Sequence, residues 1–362
     1  MADEEAVVGR AAELENVDRF LGAVSAGPVA LVLRGEPGIG KTTIWHQAVA
    51  RGEHASYTVL TCRPSSAETN LPYAGLGDLF ARVDDDIVRA LPAPQQRALD
   101  VALLRADAET TGPQQRAVSA ATLHVLIDLA RAAPVIVAID DLQWLDSPSV
   151  RVLRFAMRRV APSRIGVLVA SRSGISDEDR LALADALPPA SIDRLVIGPL
   201  ELSAVDQMLQ SRLRTAFLGP TLRRLHETSG GNPLFALELA RALLDPDASS
   251  VPGQLFPTPS TLPELLAARL ARISPSTRRA LLAASALARP TIDLVLEATA
   301  SDGVTHAELD QAVDAEVLTV HCGAVRFTHP SLASAVYTDA SAHERGQLHR
   351  RLAEVEIGRA HV

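Results

Sequence analysis

The chain has 362 residues, a length that allows two or three domains, each with its own buried core. Hydrophobic residues make up 47%, charged residues 22% and aromatic residues only 3%. That is a globular composition with too few rings for a base-stacking platform on single-stranded nucleic acid. The net charge of −8 argues against a broad DNA-binding face.

Cys62 and Cys322, far apart in sequence, imply neither a disulfide framework nor a metal cluster. The acidic N-terminus lacks a signal-peptide core and no apolar run reaches membrane-spanning length, so the expected compartment is the cytoplasm, with no membrane partner.

Val7-Val8-Gly9-Arg10 leads into a helical stretch from Ala11 to Val24, with Glu13, Glu15 and Arg19 on its polar side. Val29–Arg34 reads as a buried strand. It ends in a glycine-rich turn that fits G-x-x-x-x-G-K-[ST], with Gly35, Gly40, Lys41 and Thr42 at the fixed positions. Glycines let backbone N–H groups turn inward around a phosphate chain, and the helix from about Lys41 to Arg51 presents its positive end to the same charge. Lys41 is the single lysine among 35 basic Lys and Arg residues, and its place inside this loop points to a selected role. Gly35, Pro37, Gly38, Ile39, Gly40, Lys41, Thr42 and Thr43 are the candidate nucleotide contacts. Lys41 is also a candidate catalytic charge, and the Thr42 hydroxyl a candidate Mg²⁺ ligand.

Tyr57–Cys62 alternates as a second strand. Leu71–Val83, Leu91–Leu104 and Arg116–Ala133 have helical periodicity, with a polar break at 105–115. The apolar run from Pro134 ends in Asp140 and Asp141, as expected of a strand covered on both faces whose carboxyl end meets a ligand. Asp140 would hold Mg²⁺, directly or through water, and Asp141 would polarise the attacking water. Gln143-Trp144-Leu145-Asp146 precedes a helix at Pro148–Val160. Ile165–Ser171 is a further strand that closes at Arg172. An arginine at such a tip can reach a γ-phosphate, or be an ordinary surface charge. Leu195–Leu200 reads as a fifth strand. Residues 1–201 are therefore expected to form a P-loop NTPase domain, a three-layer α/β/α unit around a parallel sheet.

Beyond Ser203 the pattern is helical. Val205–Leu213, Thr221–Thr228 and Leu234–Leu244, broken by Gly230-Gly231-Asn232-Pro233, make a small helical domain over 202–250. A Pro/Ser-rich linker follows to Pro263. Over 262–362, helices at Leu265–Ile273, Ser276–Leu287, Ile292–Ala298 and His306–Val317 precede a hairpin, Leu318–Val320 with Val325–Thr328. Leu332–Tyr337 and Glu344–Glu356 close a winged-helix pattern. The helix before the hairpin carries Glu308, Asp310, Asp314 and Glu316 and no Lys or Arg, which phosphate would repel. This domain is expected to meet protein and nucleotide, and DNA not at all. His329, alone after the hairpin, has the ordinary reading of a structural or surface histidine.

In order along the chain, Val8-Gly9-Arg10, Gly35–Thr42, Asn70–Leu76, Ile139–Asp146, Arg172, Gly230–Pro233 and Phe327–Leu332 resemble the STAND class of P-loop signalling ATPases. More closely, they resemble the N-terminal ATPase region of large ATP-binding LuxR-type transcription regulators. The resemblance implies that Val8 and Arg10 lie on the adenine side, that Pro233 packs on the base, and that His329 reaches the β-phosphate of ADP. It implies a slow ATPase (ATP and water to ADP and phosphate) that works as a switch. It would bind Mg²⁺ with ATP, ADP would hold a closed resting state, and an inducer or regulatory protein with ATP would open it for self-association. DNA would be bound only through a C-terminal domain that this chain does not include.

Two other readings stay open, an AAA-type remodelling ATPase and the ATPase segment of a signalling enzyme such as a cyclase or kinase. A GTPase is set aside, because the Asn-Lys-x-Asp element that selects guanine cannot be built in a chain whose only lysine is Lys41.

Overall fold

The computed structural model describes residues 7–106, 114–172, 180–244, 262–287, 290–321, 323–328 and 330–360. It divides into two compact units, Met1–Pro64 with Glu68–Gly198, and Ser65–Ala67 with Pro199–Val362.

The first unit alternates strand and helix. In order it has α1 (Ala11–Val24), β1 (Val29–Gly35), α2 (Lys41–His54), β2 (Thr58–Cys62), α3 (Ala74–Phe80), α4 (Asp85–Arg89) and α5 (Ala93–Ala102). There follow α6 (Gln115–Ala132), β3 (Val135–Ile139), α7 (Ser147–Met157), β4 (Ile165–Arg172), α8 (Leu183–Ala186) and β5 (Ile192–Val196). All pairings in its sheet are parallel, in the order β2-β3-β4-β1-β5.

The central strands are apolar up to their carboxyl ends because alternate side chains feed different cores. Leu31, Leu33, Ile136, Ala138, Leu168 and Ala170 pack with Val17, Phe20, Ile44 and Trp45 of α1 and α2. Ala30, Val32, Val135, Val137, Val167 and Val169 pack with Leu76, Leu99, Leu126 and Leu153 of α3, α5, α6 and α7. The three-layer arrangement and the parallel five-stranded sheet of a P-loop NTPase are thus present.

Three elements differ from the sequence expectation. The fifth strand is Ile192–Val196 rather than Leu195–Leu200. Pro199 cannot donate to a ladder and Gly198 has no side chain to pack, whereas β5 lies at the sheet edge, where exposed Asp193 and Arg194 are tolerated. The helix expected over Leu71–Val83 starts only at Ala74, since a proline at 72 disfavours helical backbone at Leu71 and Tyr73 sits at φ 64°. The helix expected at Leu91–Leu104 is α5, which begins after Pro92, and the short α4 before it, capped by the Asp84 side chain accepting from Asp86 N, is an added element.

The second unit contains α9 (Leu202–Leu213), α10 (Gly219–Ser229), α11 (Pro233–Leu244), α12 (Leu262–Ala271), α13 (Pro275–Ala286), α14 (Ile292–Ala298) and α15 (His306–Asp314). It continues with β6 (Leu318–His321), β7 (Ala324–Phe327), α16 (Pro330–Asp339) and α17 (Ala342–Ala360). Leu281, Ala284, Val295, Leu309, Val317, Val325, Leu332 and Leu352 share its core. The hairpin pairs antiparallel from Leu318 opposite Phe327 to His321 opposite Ala324.

Two of the four acids noted around α15 have local structural duties. Glu308 completes a capping box with Thr305, and Glu316 pairs with Arg241. Glu238, only 4% exposed, accepts from Arg241 at 2.8 Å and from Arg269 at 2.5 Å, and Arg269 also donates to the Ala315 carbonyl. This network ties α11, α12 and the turn before the hairpin together. Residues 245–261 of the expected linker, as well as Cys322 and His329, lie outside the described residues.

Candidate nucleotide site

The loop between β1 and α2 is the centre of the site. Gly38 at φ 80° and Gly40 at φ 106° take left-handed conformations that let the chain curl into the start of the helix. No acceptor among the described residues meets the N–H groups of Gly38, Gly40, Lys41 or Thr42, and α2 has no side-chain cap. A helix start with unpaired donors beside a basic side chain suits an anionic group.

Lys41 is 7% exposed, and its Nζ donates to the carbonyls of Gly35 and Glu36, each at 2.9 Å. Burial pulls its pKa below the ordinary lysine value, while Asp141 and Asp140 oppose that shift and Arg172 adds to it. These four side chains therefore share one electrostatic neighbourhood.

Sheet register assembles that neighbourhood. Gly35 pairs with Arg172 across β1 and β4, and Cys62 pairs with Ile139 across β2 and β3, so the carboxyl ends of four strands converge beside the loop. Asp140 is 2% exposed. Its Oδ1 accepts from the Thr42 hydroxyl at 3.4 Å and from Asp141 N at 3.1 Å, and its Oδ2 faces Arg63 Nε at 3.7 Å. Burial, reinforced by Asp141, raises its pKa to about 6, against the pull of Arg63 and Thr42.

Thr42 and Asp140 offer two oxygen donors on one side of the loop, which fits Mg²⁺ completed by water and phosphate oxygens. Asp141 sits at φ 49° and accepts from Gln143 Nε2 at 2.6 Å. At this left-handed φ the chain leaves the extended path of β3 and enters the Leu142–Trp144 turn. The Arg172 guanidinium lies 5.6 Å from the centre of the Trp144 ring.

A second layer steadies the acidic turn. Asp146 is 2% exposed and accepts from the backbone N–H groups of Tyr73, Gly75 and Ser149, at 2.9, 3.0 and 2.9 Å. Leu76 N donates to Ser149 Oγ. A Cβ on Gly75 would come within 2.2 Å of Leu145 Cδ1, so this segment docks against Leu145-Asp146 only through a glycine. Arg180 donates to the carbonyls of Gln143 and Leu145 from the far side.

Arg10, 5% exposed, donates to Glu13 Oε1 and to the Ile39 carbonyl, both at 2.8 Å. Val8 is half-buried beside it in sequence. Pro37 and Thr43 are exposed in the loop and the first turn of α2. Pro233 belongs to the second unit, where it opens α11 behind Asn232, whose Oδ1 accepts from Phe235 N. In the same unit, Leu200 N donates to the Gly231 carbonyl and His226 Nε2 meets the Leu200 carbonyl. Arg63 and Arg180 went unnoticed in the sequence. Arg63 neighbours Asp140 only because β2 pairs with β3, a fact of strand order, whereas Asp146 was visible as the acid that ends Gln143-Trp144-Leu145-Asp146.

Residues 6–169 match the family model described as the AAA ATPase domain. An uncharacterized protein of Rhizobium meliloti (strain 1021) is 23% identical over 384 residues, covering 96% of this chain and 36% of that protein. Among solved structures, a signal transduction ATPase with numerous domains (STAND) and a tetratricopeptide repeat sensor, from Pyrococcus horikoshii, has a TM-score of 0.54 at 13% identity. That alignment covers 94% of this chain and 45% of the archaeal one. A Walker-type ATPase of Pyrococcus abyssi has a TM-score of 0.45 at 12% identity, over 92% and 97% of the two chains. The chain thus spans about a third of the curated relative and under half of the STAND protein. At such identities the structural likeness is one of fold. The sequence match is a resemblance to the AAA ATPase domain over residues 6–169.

Proposed function

We propose that this chain is a slow ATP/ADP switch module of the STAND kind, built to hold a nucleotide state. The observation that carries the reading is the joint placement of Lys41, Thr42, Asp140 and Asp141 around one loop of unpaired backbone donors. In this reading Gly35 to Thr43 cradle the phosphates, and Lys41 leaves its loop carbonyls for phosphate oxygens. Thr42 and Asp140 hold Mg²⁺, which when bound shields phosphate charge. Asp141, oriented by Gln143, positions and polarises the water, and Arg172 answers to the γ-phosphate from the tip of β4.

Within the second unit, the helices up to 244 form the small helical domain, and 262–362 form a winged-helix domain with the β6–β7 hairpin as its wing. Val8 and Pro233 belong to the base and His329 to the β-phosphate of ADP. These three roles, the adenine preference, the inducer and a LuxR-type parent protein rest on the family resemblance.

The test is the nucleotide that comes off the purified protein, with turnover measured on the same sample. The switch reading expects tightly held ADP and less than about one turnover per minute, far below the typical enzyme rate of about 10 per second. Continuous hydrolysis of several ATP per second, stimulated by a protein substrate, favours the remodelling ATPase instead.

A further inference from the structure

Arg10 stands outside the phosphate-loop motif, yet its guanidinium reaches into the loop. It joins Glu13 Oε1 to the Ile39 carbonyl, at 2.8 Å each, and does so at 5% exposure. A charge-assisted bond shielded from water is among the stronger single contacts a side chain makes.

Its consequence follows from peptide geometry. The Ile39–Gly40 peptide is trans, so its C=O and N–H point in opposite directions. With the Ile39 carbonyl fixed on Arg10, the Gly40 N–H is aimed away from Arg10, to a side where no acceptor among the described residues meets it. Gly40 is at φ 106°, a conformation open to glycine but not enforced by it, because glycine also populates the alternatives at little cost. The flexibility that admits the turn also permits the peptide to rotate its donor out of the site. Something outside the loop has to choose the orientation. The nearest candidate is Arg10: an atom in the place of a Gly40 side chain would lie 3.8 Å from Arg10 Nη2.

We propose that Arg10 is a positioning residue that clamps the phosphate loop with its Gly40 N–H aimed at the phosphates, and that Glu13 holds the guanidinium in place. The proposal rests on the loop being a polyphosphate site. It differs from an adenine-side role for Arg10 in what it demands of the ligand. A clamp acts on phosphate and ignores the base, whereas a base contact distinguishes adenine from guanine and ignores bare polyphosphate.

The experiment is calorimetric titration of the full chain with Mg²⁺ and, in turn, ATP, GTP and inorganic tripolyphosphate, for the wild type, Arg10→Gln, Arg10→Lys and Glu13→Gln. We expect Arg10→Gln to weaken all three by a common factor of about ten, the effect of one lost bond to a charged group. Glu13→Gln should lose less, and Arg10→Lys, which still offers a donor to the Ile39 carbonyl, should keep most of the affinity. Circular dichroism melting identifies any variant that does not fold, and the two milder variants then carry the comparison. Unchanged tripolyphosphate affinity in Arg10→Gln and Glu13→Gln would overturn the clamp, as would a loss confined to ATP. If the wild type binds none of the three ligands, the polyphosphate reading itself fails.

Discussion

At the residue scale the site contrasts charges held away from water with charges meant to meet a ligand. Lys41 is buried against its own loop carbonyls, so Lys41→Ala should leave the fold intact and lower ATP affinity at least about tenfold by calorimetry. Asp141→Asn should keep ATP binding and reduce single-turnover hydrolysis by about 10²-fold or more, the usual weight of a water-activating base. Loss of binding instead would mark Asp141 as a scaffold acid.

Asp140 gives a pH prediction. Its folded pKa is raised to about 6 by burial first and Asp141 second. Between its ordinary value and about 6, the folded state binds more protons than the unfolded one, so this group's contribution falls as pH rises through that window and stays low above it. In the absence of nucleotide and Mg²⁺, Asp140→Asn should therefore be more stable than the wild type at pH 7.5, by on the order of 1–3 kcal/mol. The gap should close toward pH 4 in thermal melts. A gap that does not vary with pH would show that the Asp140 carboxylate is not held in that raised state.

At the scale of elements, the acidic turn after β3 is supported by backbone docking more than by its own helical turn. The Tyr73–Leu76 segment donates Tyr73 N and Gly75 N to Asp146 and Leu76 N to Ser149 Oγ. Asp146→Ala would leave three buried N–H groups without their acceptor, and should cost about 3 kcal/mol or more in urea unfolding. Gly75→Ala forces a methyl group onto the buried Leu145 side chain and should cost about 1–3 kcal/mol. Both variants should also weaken nucleotide binding, because the Leu142–Trp144 turn beside Asp141 rests on this segment. If either variant proves as stable as the wild type, the docking carries no load.

At the scale of the whole molecule, each unit has its own core and its own polar keystone. In the second unit that keystone is Glu238, buried between Arg241 and Arg269, which in turn reach Glu316 and the Ala315 carbonyl. Burying an ion pair adds little net stability, but removing one partner strands the others. Glu238→Ala should thus destabilise the second unit by about 3–5 kcal/mol. Tryptophan emission reports the first unit, since Trp45 and Trp144 both lie there, so far-ultraviolet circular dichroism should show an earlier transition that tryptophan fluorescence does not. Coincident transitions by both probes would contradict this.

The phosphate loop, the paired acids, the arginine at the end of β4 and the helical character beyond Ser203 were legible in the sequence, because each is written in consecutive residues. A glycine-rich turn before a lysine, or an apolar run ending in two aspartates, has its meaning within a few peptide units. The fifth strand was displaced by three residues because apolar content at Leu195–Leu200 outweighed, on paper, the ladder donor that Pro199 lacks. The strand order β2-β3-β4-β1-β5 could not be read, since pairing between strands distant in sequence leaves no local trace.

That order decides the site. It places Arg172 beside Gly35 and Arg63 beside Asp140, and the packing of α1 brings Arg10 onto the Ile39 carbonyl. The sequence by itself determined the glycine-lysine loop and the paired acids after β3, because each is written in contiguous residues. Tertiary structure alone decided which distant side chains orient them, because long-range strand pairing and helix packing bring those groups within hydrogen-bonding reach.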